Sequence, residues 1–372
     1  MKRIFTFFAF IILLHFSKAQ SSLQDQKQFY DKYGYTKEED WNKLQEQLTG
    51  QKFKLLPKAD NTNQRTSACS LNGRRVYGWH PYWNGSTVHN NYQWNLLSDL
   101  CYFDYTVTPA TGANSNASFA WSTSSAVTAA KNNGVKISFC ATLFSSHSTF
   151  LTSTTAKNTF TQNCINLIKA RGANGVNIDF EGLPSSQKAN FTTFMQQFCQ
   201  KIHDSIPGGE VSMALYAVDW NGVFDVPNLK NYVDLFIIMG YDYYYGGSTN
   251  AGPTDPLFGF ETVYNYSLSK SISYYLYQGV PQNKLLLGVP YYGRQYRTAS
   301  STIPSTNSGS SYSTTPTYKA VRANSSGNYG AANKKFDYNS YTPYYTFLSG
   351  GFNYQCFIND SASMRERYDI VN

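Results

Sequence analysis

Asp179 and Glu181 are the residues whose types and spacing best fit chemistry. They lie in the run Asn174-Gly175-Val176-Asn177-Ile178-Asp179-Phe180-Glu181. In a strand, Asn177, Asp179 and Glu181 would share one face, and Val176, Ile178 and Phe180 the other. Three polar side chains in a row on an otherwise apolar strand are expensive to bury without a use. Two carboxylates this close cannot both ionise freely, so one pKa rises. A carboxyl that keeps its proton near neutral pH can act as a general acid. A structural pair satisfied by hydrogen bonds fits the same spacing equally well.

Such a segment needs a frame, and the chain after Asn72 supplies one. Apolar, strand-like runs recur at Arg75–His80, Leu100–Val107, Gly134–Ala141, Gly175–Glu181, Glu210–Ala217, Tyr232–Tyr241 and Lys284–Tyr291. Helical spacing lies between them: Phe160, Cys164, Leu167 and Ile168, then Phe191, Phe194, Met195, Phe198 and Ile202, with Ser185 or Ser186 as cap. Strands apolar on both faces are parallel strands covered by helices. Repeated βα units leave a (β/α) barrel or a doubly wound sheet. The first βα turn has no glycine fingerprint for a dinucleotide, which favours the barrel. Glu181 then ends its strand at the C-terminal mouth, where barrels carry their sites, with Asp179 one pleat below. Arg294–Gln355 is rich in Ser, Thr, Asn and Tyr without clear period. It reads as an insertion after the seventh strand, a functional loop or a small fold of its own. A helix at Ser361–Val371 follows. Seven strands are read where a closed (β/α)8 barrel has eight, so the last βα unit is incomplete.

Composition narrows the function. The 372 residues carry 31 Lys and Arg against 23 Asp and Glu, a net charge of +8, with the basic residues scattered; nucleic acid is not an expected partner. Residues 1–19 read as a signal peptide: Lys2 and Arg3, then an apolar stretch to Phe16, then Ser17 and Ala19. The chain is therefore expected to be secreted, with no membrane span after cleavage. Residues 20–71 read as a polar extension, and 72–372 as the barrel. The six cysteines allow 15 disulfide pairings, while Cys101, Cys140, Cys164 and Cys199 sit where buried thiols would. CxxC, HExxH, GxxxxGK and GxSxG are all absent from the sequence, so no metal, nucleotide or serine-hydrolase chemistry is expected.

Residues 174–181 resemble the active-site strand of glycoside hydrolase family 18, the chitinase family, whose signature is Asp/Asn-Gly-apolar-Asp/Asn-apolar-Asp-x-Glu. Three further segments align in order: Val76–Trp83 with the family's first strand, Met239-Gly240-Tyr241-Asp242 with its Met-x-Tyr-Asp, and Gly288–Arg294 with its seventh strand and exit. The variant NxDxE is similar to the spore-type and secreted bacterial branch.

The resemblance implies a (β/α)8 TIM-type barrel and a secreted, monomeric glycosidase acting without cofactor on glycans with β-linked N-acetylglucosamine. It implies substrate-assisted, retaining catalysis, an exception to the two-carboxylate scheme. Glu181 would protonate the glycosidic oxygen, and the substrate's 2-acetamido oxygen would attack the anomeric carbon. Asp179 would orient the acetamido group, and Tyr241 would hydrogen-bond its oxygen. Asn177, Met239, Asp242, Tyr77, Tyr291 and Arg294 would line the sugar site, and Trp220, just past a strand end, would stack on a sugar face. Three departures stand out. Asn177 replaces an Asp, leaving Asp179 without a carboxylate beneath it to share a proton. Ser138-Phe139-Cys140-Ala141 stands where Ser-x-Gly-Gly is common. The eighth strand and its Trp have no counterpart. A non-catalytic, carbohydrate-binding relative is the alternative; such relatives typically lose the acid, which is present here.

Overall fold

The computed structural model describes Leu71, residues 73–262 and residues 264–371. The expected signal peptide, Cys69 and all but the last residue of the extension lie outside the described residues.

Seven parallel strands form one sheet in sequence order: β1 (Tyr77–Pro81), β2 (Asp99–Thr106), β3 (Lys136–Leu143), β4 (Gly175–Phe180), β5 (Glu210–Tyr216), β6 (Leu235–Met239) and β7 (Leu285–Gly288). The sheet curls until β1 meets β5 across the lumen. Tyr77 Oη lies 2.9 Å from Ser138 Oγ and 3.4 Å from Ser212 Oγ. Below it, Arg75 bridges Asp99 and Glu210, and Lys136 pairs with Glu210 as well. These ion pairs plug the N-terminal end of the barrel, so the open end is the C-terminal one. Among the described residues no eighth strand joins β7 to β1.

The helices cover the outside. They are α1 (Ser125–Asn132), α2 (His147–Thr152), α3 (Thr154–Arg171), α4 (Lys188–Ser205), the single turn α5 (Val226–Leu229), α6 (Leu268–Tyr277), α7 (Tyr318–Ala323) and α8 (Ser361–Asp369). α3 starts where the Ser153 hydroxyl accepts from Ala156 N, and stops at Gly172, whose φ of 56° a side chain would resist. α4 differs from expectation. Ser185 and Ser186 do not cap it; they form a 3-10 turn with Gln187, which precedes the helix without a side-chain cap. Burial of Phe191, Phe194, Phe198 and Ile202 holds α4 in place instead.

The outward face of β4 explains its firmness. Phe180 stacks on Phe194 at 5.9 Å and also meets Phe150, Phe160 and Phe191. Each such aromatic pair adds about 0.5–1.5 kcal/mol beyond area burial. With the odd-numbered and even-numbered side chains so divided, Asn177, Asp179 and Glu181 must turn inward.

The insertion has its own small fold. β8 (Arg294–Thr298), β9 (Lys334–Asp337), β10 (Thr342–Ser349) and β11 (Phe352–Phe357) make an antiparallel sheet ordered β9-β10-β11-β8. Sheet residues therefore run two past the expected end at Gln355. Cys101, Cys140, Cys164, Cys199 and Cys356 are free and buried.

Candidate active site

β4 delivers the inward row to different depths. Asn177 is fully buried; its amide donates to Ser212 Oγ at 2.9 Å and its carbonyl accepts from the Cys140 thiol at 3.3 Å. It serves the lumen, not the mouth. Asp179 lies above it, 8% exposed. Its Oδ2 is 3.9 Å from Cys140 Sγ, and its Oδ1 has no partner at all. An acceptor buried and unpaired costs about 1–3 kcal/mol, more when charged. Burial first, then the charges of Glu181 and Asp104, push the Asp179 carboxyl up to about 7.

Glu181 stands at the rim, half-buried, its carboxyl raised by burial and by Asp242. Its backbone is held on both sides. Glu181 N donates to Leu143 O at 2.9 Å, and His147 Nε2 sits 3.1 Å from the same carbonyl. Across the turn, Tyr216 Oη donates to Phe180 O at 2.9 Å and accepts from Leu183 N at 3.1 Å. Tyr216 and His147 were not singled out from the sequence. Their signal was weak: a Tyr at a strand end and a His opening a short helix.

After Met239 the chain leaves the sheet. Gly240 N donates to Ile238 O and Tyr241 N to Met239 O, two tight turns in succession. A Cβ at Gly240 would come within 2.5 Å of Gly288 O, so this bend requires glycine. Tyr241 is thereby aimed at the carboxylates by a turn and not by strand alternation. Burial, then Asp179 and Glu181, raise its phenol well above the usual range. Asp242 follows with φ 56°, a left-handed conformation that aspartate tolerates. Its Oδ1 accepts from Arg294 Nη2 at 3.0 Å and from Tyr292 Oη at 3.2 Å. Arg294, first residue of β8, so ties the insertion to the rim.

Glu181, Asp179, Tyr241, Asp242, Arg294 and Met239 thus converge at the C-terminal end. Three other candidates sit apart. Tyr77 lies in the lower lumen on Ser138. Trp220, half-buried, stacks on Tyr264 at 6.0 Å and meets Tyr266 edge-on at 5.0 Å. Tyr291 is 71% exposed beside Tyr368 Oη at 3.3 Å. Asp104 joins the cluster unforeseen. The signal for it was a lone carboxylate in the aromatic run Leu100–Val107. Among the described residues no group of three or more His, Cys, Asp or Glu is placed to hold a metal.

The sequence model of glycosyl hydrolases family 18 matches residues 77–372, the whole barrel and its insertion. The chain belongs to this family. Within it, YdhD of Bacillus subtilis, a candidate sporulation-specific glycosylase, is 28% identical over 149 residues, 38% of this chain and 32% of that protein. Chitotriosidase-1 of Mus musculus is 24% identical over 161 residues, 39% of this chain and 35% of that protein. The matches span about a third of the length of these curated relatives. The crystal structure of Ostrinia furnacalis Group IV chitinase in complex with allosamidin matches at TM-score 0.67 and 18% identity, covering 80% of this chain and 88% of that one. At that identity the likeness is one of fold. The family's strand signature falls on β4, with its last carboxylate at the rim.

Proposed function

We propose that the chain hydrolyses glycans with β-linked N-acetylglucosamine by substrate-assisted, retaining catalysis. The observation that carries this reading is the buried, unpartnered Oδ1 of Asp179 two residues below a rim Glu181. An N–H of a substrate acetamido group would satisfy that oxygen, and the positive charge developing on the acetamido group would meet a carboxylate already desolvated. Glu181, its pKa raised, donates a proton to the leaving oxygen and takes one back from water. Tyr241 supplies a phenolic donor for the acetamido oxygen. Asp242, locked by Arg294 and Tyr292, lines the rim and helps Glu181 keep its proton. The N-terminal basic and apolar pattern supports action outside the cell. No described helix is long and apolar enough to cross a membrane.

The test is mass-spectrometric product analysis with a soluble N-acetylglucosamine oligomer, wild type beside Glu181→Gln. Cleavage by the wild type alone is expected, with the variant still binding the oligomer. Binding without cleavage by either protein would replace the hydrolase with a carbohydrate-binding protein.

A further inference from the structure

We propose that Asp104 is a positioning residue for Asp179: a fixed anion on β2 that supplies, from the neighbouring barrel wall, the second carboxylate that β4 lacks at Asn177. The proposal rests on the hydrolase reading above for its catalytic meaning, not for its electrostatics.

The placement follows from a bulge. β2 and β3 pair regularly from Asp99–Lys136 to Phe103–Cys140, then shift register so that Tyr105 faces Ala141. Tyr102 and Tyr105 both pack outward, against Phe119, although they are three positions apart, an odd spacing that regular alternation would put on opposite faces. The extra residue turns Asp104 away from that layer, as bulges beside functional sites commonly do. Asp104 is 4% exposed and held by three side-chain donors: Thr142 Oγ1 at 2.5 Å, Thr106 Oγ1 at 2.9 Å and Asn116 Nδ2 at 3.1 Å. Thr142 is the register partner of Asp179 on the next strand. Its hydroxyl is committed to Asp104, so the two carboxylates flank one threonine and nothing cationic lies between them. Three neutral donors thus converge on the two Asp104 carboxyl oxygens.

The other groups acting on Asp179 are Glu181 on its own strand, Cys140 on β3, Tyr216 at the end of β5 and Tyr241 after β6. None is a cation. Asp104 therefore makes an ionised Asp179 costly in the empty site and leaves that cost to be relieved by a positive group alongside it. A cation developing on the substrate during the reaction is such a group, whereas a neutral acetamido group is not. The interaction is stronger in the transition state than in the ground state, the condition for raising kcat.

The experiment is an infrared titration of the carboxyl band that disappears in Asp179→Asn, run on wild type, Asp104→Asn and the smaller Asp104→Ser. Loss of the Asp104 charge should lower the Asp179 midpoint by about one pH unit. The limb of kcat/KM that tracks Asp179 ionisation should move with it, and Asp104→Glu should restore both. An unmoved midpoint in either folded neutral variant overturns the proposal. Repeating the Asp104→Asn comparison in a Glu181→Gln background should leave the Asp104-dependent shift in place, and its disappearance there overturns the proposal too. If no glycan is cleaved by the wild type, the hydrolase reading fails, while the infrared midpoints still decide the role of Asp104.

Discussion

With its carboxyl pushed up to about 7, Asp179 holds a proton in the folded chain at pH values where an unfolded aspartate has released it. Between about pH 4 and 7 the native state therefore binds more protons than the unfolded one, and stability falls as pH rises through that window. Above it, the buried anion costs the fold roughly 2–4 kcal/mol. Asp179→Asn removes that cost. Its melting temperature should match wild type near pH 4 and exceed it increasingly up to pH 8, while cleavage is lost. A gain that does not change with pH would show that Asp179 does not titrate in this range. The same residue illustrates why the sequence revealed the pair but not its setting. NxDxE spacing dictates that Asp179 and Glu181 share a face, because alternation along a strand is local. The carboxylate facing Asp179 comes from Asp104, 75 positions earlier, through a bulge that no periodicity announces.

At the scale of elements, the barrel strands are legible because each carries a short apolar run and helical spacing lies between them. Their ends are not, because ends are set by partners. The apolar run predicts β6 to Tyr241, yet the strand stops at Met239, where Gly240 lets the chain approach Gly288. The insertion shows no clear period in sequence because its strands, four to eight residues long, are half covered and interrupted by polar turns. The turn after β4 depends on a neighbour in the same way. Tyr216 Oη bridges Phe180 O and Leu183 N, on either side of Glu181. Tyr216→Phe keeps the ring and loses both bonds. We expect a destabilisation of about 1–3 kcal/mol by denaturant unfolding. We also expect a lower kcat with little change in KM, because Glu181, the acid in the proposed mechanism, is misplaced while the sugar contacts persist. A variant that loses stability but keeps kcat would make Tyr216 a purely structural strut.

The barrel, the insertion and the last helix meet at one guanidinium. Arg367 on α8 is fully buried. Its Nε donates to Asp255 Oδ2 at 2.6 Å, its Nη1 to Tyr341 O and Ser363 O at 3.0 Å each, and its Nη2 to Asp255 O at 2.6 Å and Thr342 Oγ1 at 2.9 Å. Asn359 Nδ2 adds donations to both Asp255 oxygens, at 2.8 and 2.7 Å. Asp255 lies on the connection between β6 and α6, Tyr341 just precedes β10, and Thr342 opens it. Every guanidinium donor direction is thus spent on joining three parts of the molecule. The arrangement's net worth is small when intact, since desolvating the ions offsets their attraction, but removing one partner strands the other. Arg367→Ala should cost about 3–5 kcal/mol, most of it from leaving Asp255 charged and buried. Arg367→Met with Asp255→Leu removes both charges and should recover most of that loss. Because β8 carries Arg294 to Asp242 at the rim, the single variant should also weaken oligomer binding before it unfolds the barrel. Limited proteolysis would then cut first within residues 294–357. A single cooperative transition with unchanged binding and no early cut in Arg367→Ala would mean that the insertion is held to the rim by its sheet contacts alone, and that Arg367 serves only to fasten α8.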